Sequence, residues 1–513
     1  MPVFPAVPST TMPPVVRAPD SSAALIIHSA ARSFTEPPGF INSALPSISQ
    51  PVLADRLSIL MSGVLPIDPV RPFKYDIGNS DGLATHSKAR SLGGQYFKDV
   101  ALIMRIGYLY NGSGTLYVKA EGSRVMSEEI LAVASERGLV VEKVDSLLKR
   151  VQKEVDEGLL PAAQVALAKD GEVVFQASYG AAKEDSLTCI FSATKAITSA
   201  AAWLLIQEGK LAEDERVAEI IPEFAANEKD QITVEQLFTH TAGFPSAPFA
   251  PLEWDDKEAR LGRFARWRLN WQPGSKFEYH PSSSMYVIAE LIERRSGEGY
   301  REFVRTRVLD PLGLKNLFVG LPESENARAL PCEHVGDALT PEDYKNMGVP
   351  VPPLTEVTEE AILAFNRPDV RAVGVPGGGG FATAADLALF HQALMHGGLP
   401  GTGELWSEAT RHDVRRIRSG DLTDMVFKKP ANRALGLIIS GDQSRNFRGF
   451  GKTNSASAFG HNGAGGQLAW ADPATGLSLG YVTPGHDRNN IRQGGRGVAI
   501  SSIAAECAPM AVS

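Results

Sequence analysis

The spacing of apolar and polar positions divides the chain into strand-like ends around a helical middle. Residues 164–168 and 172–178 are short apolar runs joined at Asp170-Gly171, a tight-turn signal, and they predict a hairpin. A denser stretch follows, in which Ala196, Ile197, Ala200, Ala201, Ala202, Trp203, Leu204, Leu205 and Ile206 are apolar nearly all round; the pattern predicts a core helix ending at Gly209. Residues 211–350 read as helix and loop, with short helices at 234–240, 283–295 and 300–309. Thr383 and Asp386 mark the start of another helix running to His396. The tail returns to strands at 434–440, 467–471 and 477–482 before a last helix over 491–505. One antiparallel sheet fed from both ends of the domain, flanked by helices and carrying a helical insert, follows from this order: an α/β (α+β) fold.

The first 125 residues break the pattern. Nine of the chain's 34 prolines fall in the first fifty positions, and the segment reads as an irregular, partly disordered extension. Within it, residues 100–110 and 115–119 flank Asn111-Gly112-Ser113-Gly114 and predict a hairpin. A helical start at Met126 then opens a self-sufficient unit, residues 126–513, with Met126 as the expected functional start.

With 43% hydrophobic and 21% charged residues, the 513-residue chain has the composition of a globular protein. Its net charge of −8 and lack of a basic patch argue against nucleic acid or an anionic membrane as partner. No apolar run reaches the roughly 18 residues that span a bilayer, and Ala23 to Ile27 is too short for a secretory core, so a cytoplasmic location is expected. Cys189, Cys332 and Cys507 are widely spaced, and no metal-ligand spacing occurs; neither a metal nor another cofactor is expected. Nothing in the pattern fixes an oligomeric state.

Chemistry enters at Ser192-Ala193-Thr194-Lys195. Positions i and i+3 share a helix face, so the Lys195 amine can reach the Ser192 hydroxyl. Serine is a poor nucleophile until a neighbour takes its proton, and lysine serves only where burial favours its neutral form. The same spacing recurs at Ser146-Leu147-Leu148-Lys149, within a charged amphipathic helix whose lysine should stay solvated; that copy is taken as incidental. Two further elements stand out. Pro273-Gly274-Ser275-Lys276-Phe277-Glu278-Tyr279 delivers a tyrosine onto a loop before a helix, where its phenol either shuttles a proton or merely packs. Phe459-Gly460-His461-Asn462-Gly463-Ala464 is a glycine-rich edge that either offers backbone N–H groups to an oxyanion or is a plain turn.

The ordered set Ser192-x-x-Lys195, Tyr279 and His461-x-Gly463 resembles the serine β-lactamase and penicillin-binding-protein superfamily, most of all the family VIII carboxylesterases and class C β-lactamase relatives. Supporting stretches run from Leu237 to Pro245, from Val308 to Gly313 and around Ala384-Ala385-Asp386-Leu387. The resemblance implies a β-lactamase/transpeptidase-like fold with Ser192 at the start of the central helix. It implies that Ser192 attacks a carbonyl, Lys195 accepts the proton, and Tyr279 protonates the leaving group and activates water. The N–H groups of Ser192 and Ala464 would hold the oxyanion, and His461 would stand where the family usually has lysine. Lys452-Thr453-Asn454 imitates the family's third motif but lacks its glycine, and Ser282 falls near the position of an expected asparagine. A neutral histidine in place of the cation weakens the grip on a substrate carboxylate and favours an uncharged ester of short acyl chain as the small-molecule substrate. Acyl transfer, β-lactamase or D,D-peptidase activity, and a sensor acylated without turnover remain the alternatives. No Gly-x-Ser-x-Gly elbow is present, and Gly377-Gly378-Gly379-Gly380 reads as a flexible turn lining the cleft.

Overall fold

Six strands drawn from the two ends of the chain form one antiparallel sheet. In chain order they are β3 (Ala162–Lys169), β4 (Glu172–Gly180), β8 (Ile438–Ile439), β9 (Phe459–Gly460), β10 (Leu468–Asp472) and β11 (Leu477–Val482), and their spatial order is β8-β9-β10-β11-β3-β4. The computed structural model describes residues 108–110, 116–118, 122–349, 351 and 357–510, all within the unit Gln95–Ser513. The Pro-rich N-terminal stretch and the Asn111–Gly114 turn lie outside the described residues. The strands expected beside that turn are present as a short antiparallel pair, β1 (Tyr108–Tyr110) and β2 (Leu116–Val118). The helix expected at Met126 begins earlier, as α1 (Gly122–Glu136).

Alternation along the strands sorts the core into two layers. Ala163, Val165 and Leu167 of β3, with Leu479 and Tyr481 of β11, face α2 (Val141–Asp156) and α7 (Asn490–Ala505). Ala166 and Ala168 face the other way, toward the larger core that holds α3 (Thr194–Gln207), α4 (Val234–Phe238), α5 (Ser283–Ser296) and α6 (Ala384–His396). On that side α6 runs so close to β11 that a Cβ on Gly480 would collide with the Ala384 carbonyl. Thr383 caps α6 by accepting from the Asp386 N–H at 3.2 Å, whereas the Asp386 carboxylate reaches the Asn316 N–H at 2.6 Å rather than capping. The 434–440 strand shrinks to two residues because Gly436 turns the chain at φ +80°, against Ser199 of α3. Residues 300–309 are helical as expected, with Arg305–Leu309 in π geometry.

A second, small sheet positions the chemistry. Strand β5 (Thr188–Cys189) pairs with β7 (Gly380–Ala382), which pairs with β6 (Leu317–Val319), all antiparallel. Strand β5 leads within three residues into Ser192. Among the described residues, no helix is long and apolar enough to cross a membrane.

Candidate active site

Ser192 does not sit in the long helix itself. It lies in a 3₁₀ turn, Phe191–Ala193, that feeds α3, and Phe191 adopts φ +43°. A bulky side chain in the left-handed region is strained, and such strain persists only where the surroundings hold it. Here the Phe191 ring is wedged edge-on between Phe365, at 5.3 Å between centroids, and His486, at 4.9 Å. The turn leaves Ser192 partly exposed while α3 behind it is buried from Thr194 to Leu205.

Lys195 is the most constrained group of the site. Its side chain is fully buried, and Nζ lies 3.2 Å from Ser192 Oγ, 2.6 Å from the Pro281 carbonyl and 2.8 Å from the Gly377 carbonyl. Among the described residues these three oxygens, a hydroxyl and two backbone carbonyls, are its hydrogen-bond partners. Glycine is needed at 377 because a Cβ there would press at 3.2 Å on both Nζ and the Pro281 carbonyl. Gly379 and Gly380 are tighter still whereas Gly378 has room, so the run is a turn that brings three of its glycines into close contact; Gly380 donates its N–H to Thr194 Oγ1 at 2.9 Å. The other Ser-x-x-Lys copy differs in every respect. Lys149 is largely solvated and pairs with Asp145 at 2.6 Å, and Ser146 Oγ donates to the Glu142 carbonyl.

Tyr279 is half-buried, with its ring centroid 5.2 Å from Lys195 Nζ. Three groups surround that ring. His240 lies 4.7 Å away and His461 6.0 Å away between centroids, and the Arg433 guanidinium carbon lies 5.5 Å away. The adjacent loop is fixed through His280, whose Nδ1–H donates to the Glu278 carbonyl at 2.6 Å while Nε2 accepts from the Phe244 N–H at 3.1 Å. The His280 N–H in turn donates to His240 Nδ1 at 3.2 Å. Burial lowers the His280 pKa to about 4, and burial with the positive Arg433 nearby holds His240 well below the usual imidazole range.

His461 is buried, and its Nδ1 bonds the Asn462 carbonyl at 2.9 Å, leaving Nε2 without a hydrogen-bond partner among the described residues. Burial, then the charges of Lys195 and Arg433, hold it well below its ordinary pKa, so the imidazole is neutral near pH 7. Gly463 lets this edge approach the nucleophile turn, since a Cβ would strike the Ile190 carbonyl. Ala464 follows and packs with the cluster that contains Phe191. Ser282 occupies the position before α5, its carbonyl accepting from the Met285 N–H at 3.1 Å. Lys452 and Thr453 are tied to Ser502 of α7, and Asn454 to the Gly451 N–H, so that stretch is structural.

Four participants escaped the sequence reading: Arg433, His240 and the two carbonyls that grip Lys195. Carbonyls leave no trace in residue identity. His240 had a trace in the Leu237–Pro245 stretch, but its φ of +59° and its place under Tyr279 did not. Arg433 is a buried guanidinium whose Nε and Nη1 find no hydrogen-bond partner among the described residues; it stacks on Phe277 at 5.1 Å as well as on Tyr279. A separate cavity of about 650 Å³, lined by Glu213, Glu235, Asp413 and Arg418, shares no residue with this site. Arg418 pairs with all three carboxylates there, which makes it a structural ion network.

Known proteins share this architecture. A family VIII carboxylesterase of known structure superposes with a TM-score of 0.58 at 26% identity, covering 70% of this chain and 96% of its own. A penicillin-binding-protein homologue from Caulobacter crescentus gives 0.57 at 28% identity, over 69% and 96%. A provisionally named D-alanyl-D-alanine carboxypeptidase of Escherichia coli (strain K12) is 25% identical over 388 residues, 67% of this chain and 82% of its own. The Beta-lactamase family model matches residues 147–499, more than half of the chain and both sides of the site, and the protein therefore belongs to the β-lactamase family of serine hydrolase-type folds.

Proposed function

We propose that the protein cleaves carboxylic esters of short acyl chain through an acyl-enzyme on Ser192. The observation that carries this reading is the setting of Lys195 Nζ. Two carbonyls, of Pro281 and Gly377, accept two of its N–H bonds, and the remaining direction meets Ser192 Oγ at 3.2 Å. With two N–H bonds held by the carbonyls, the third valence of the nitrogen faces Ser192 Oγ, so the lone pair left when the amine sheds its proton is aimed at the serine hydroxyl. Ser192 Oγ attacks the ester carbonyl as its proton passes to Lys195, and the oxyanion is held by the N–H groups of Ser192 and Ala464. Tyr279 protonates the departing alkoxide and then takes a proton from the water that frees the acyl group.

A neutral His461 beside Tyr279 supports an uncharged ester, because it offers no fixed cation to a carboxylate. A second reading, a D,D-peptidase-like or β-lactam-cleaving activity, is favoured by Arg433, a buried cation beside the same tyrosine. Transfer of the acyl group to an alcohol would use the same residues with a different acceptor.

The test is a panel of 4-nitrophenyl esters, a D-Ala-D-Ala peptide and a chromogenic cephalosporin, assayed with wild type and Ser192→Ala. Short esters should be turned over by wild type alone, with an adduct on Ser192 that clears within the assay. Ester hydrolysis surviving Ser192→Ala defeats the proposal, and an adduct that never clears replaces it with a sensor.

A further inference from the structure

Two thiols lie directly behind the nucleophile turn. Cys189 ends β5, three residues before Ser192, and Cys332 lies on the chain that runs beside it. That chain joins β5 through a parallel bridge, Leu187 to Ala329, in which Leu187 N–H donates to the Arg328 carbonyl at 2.9 Å and Leu330 N–H to the Leu187 carbonyl at 2.8 Å. In the register of that bridge residue 331 falls opposite Cys189, with Cys332 next along the chain, and each thiol shifts the pKa of the other. Both are buried in one cluster with Leu187, Phe191 and Phe381, and both are reduced. Cys332 is clamped at its backbone by Asn366, which accepts its N–H at 2.7 Å and donates to its carbonyl at 2.8 Å.

The two sulfurs are not equivalent. The neighbouring Cys189 thiol and then the Arg371 guanidinium lower the Cys332 pKa, whereas burial pushes Cys189 well above the thiol range. Cys332 is the natural thiolate of the pair and Cys189 the proton-bearing partner. Cys189 also touches the catalytic floor: its Sγ–H donates to the Gly378 carbonyl at 3.6 Å, one residue beyond the carbonyl that holds Lys195.

We propose that Cys189 and Cys332 are a reversible disulfide site, closed by hydrogen peroxide, that disarms Ser192 when oxidised; the switching half rests on the Ser192–Lys195 reading above. The Cys332 thiolate attacks the peroxide, breaking its O–O bond to give a sulfenic acid and hydroxide, which a proton converts to water. The Cys189 thiol then displaces that hydroxyl as water, leaving the S–S bond, so two thiols and one peroxide become one disulfide and two waters. Bonding brings the two sulfurs to about 2 Å. The closing motion draws β5 toward Cys332 and takes Cys189 off the Gly378 carbonyl. Displacing the serine turn and the Lys195 cradle by about 1 Å costs on the order of a hundredfold in rate.

The experiment treats the full chain with hydrogen peroxide, maps its peptides without reduction, and follows both ester turnover and the rate at which a fluorophosphonate labels Ser192. The expected result is a linked Cys189–Cys332 peptide pair, about a hundredfold slower labelling and turnover, and recovery with dithiothreitol. Cys507, whose thiol burial pushes up to about 12, serves as the internal control and should remain alkylatable only after unfolding. Cys332→Ser should keep its turnover through the same treatment; should it fail to fold, the wild-type map decides. Separate, alkylatable Cys189 and Cys332 after peroxide overturn the proposal, as does a linked pair that labels at the reduced rate. A reduced enzyme that cleaves no ester but is still labelled at Ser192 would count against the substrate reading alone.

Discussion

Replacing Lys195 by methionine separates what the amine does for the reaction from what it does for the fold. Methionine fills a similar volume but neither donates nor accepts a proton at Nζ. Loss of a positioned base costs 10²–10⁴ in rate, or about 3–5 kcal/mol on the barrier. The fold also suffers, because the Pro281 and Gly377 carbonyls lose their buried donor at 2.6 and 2.8 Å. Each unsatisfied carbonyl costs about 1–3 kcal/mol, partly offset by no longer burying an amine. A domain of this size, with a stability of about 5–15 kcal/mol, stays folded at 25 °C under that load. Turnover of 4-nitrophenyl butyrate, normalised to the folded fraction from circular dichroism, should fall by at least about 10² while the urea midpoint falls only modestly. A variant that loses stability as expected but hydrolyses at the wild-type rate would show Lys195 to be a structural amine, and the chemistry would have to be rebuilt around Tyr279.

Three further outcomes follow from the same geometry. His280, His391 and His486 are each held at about 4 by burial, against an ordinary value of 6.5. Between these values the unfolded chain binds protons that the folded one refuses. Stability is therefore full above about pH 6.5 and falls on acidification toward 4, by at most roughly 3 kcal/mol per imidazole; urea midpoints unchanged from pH 7 to 4.5 would contradict this. Gly463→Ala should displace the His461 edge from the Ile190 carbonyl, with an overpacking cost of about 1–3 kcal/mol and a loss of kcat, so wild-type kinetics in this variant would remove the edge from the site. Arg433→Met should leave the melting temperature unchanged or raised, because Nε and Nη1 have no partners to lose, yet slow ester turnover by up to roughly a hundredfold. Unchanged ester kinetics with a loss confined to carboxylate-bearing substrates would instead favour the peptidase reading.

The residues that were readable in advance share one property: their placement follows from local periodicity. Short apolar runs and a tight-turn signal gave β3, β4, β10 and β11 to within two residues at each end, and an all-apolar stretch gave α3. Spacing brought Lys195 to Ser192, and composition around the two Ser-x-x-Lys copies told a buried lysine from a solvated one. Where the outcome departed, a long-range contact had overridden the local pattern. Gly436 against Ser199 cut the 434–440 strand short, and the wedge of Phe365 and His486 on Phe191 turned the start of the helix into a strained 3₁₀ corner. That corner matters for the chemistry. A serine inside the regular helix would be buried with its neighbours, whereas the turn lifts Ser192 to the surface and leaves Lys195 beneath it. The groups that complete the site come from segments more than eighty residues away: the carbonyl of Pro281, the carbonyl of Gly377 and the guanidinium of Arg433. None of them has a partner in its own neighbourhood that would signal its role. The sequence therefore specifies the Ser192–Lys195 pair locally and its environment only through the fold, which is why that pair was legible and Arg433, a cation beside Tyr279 that no motif announced, was not.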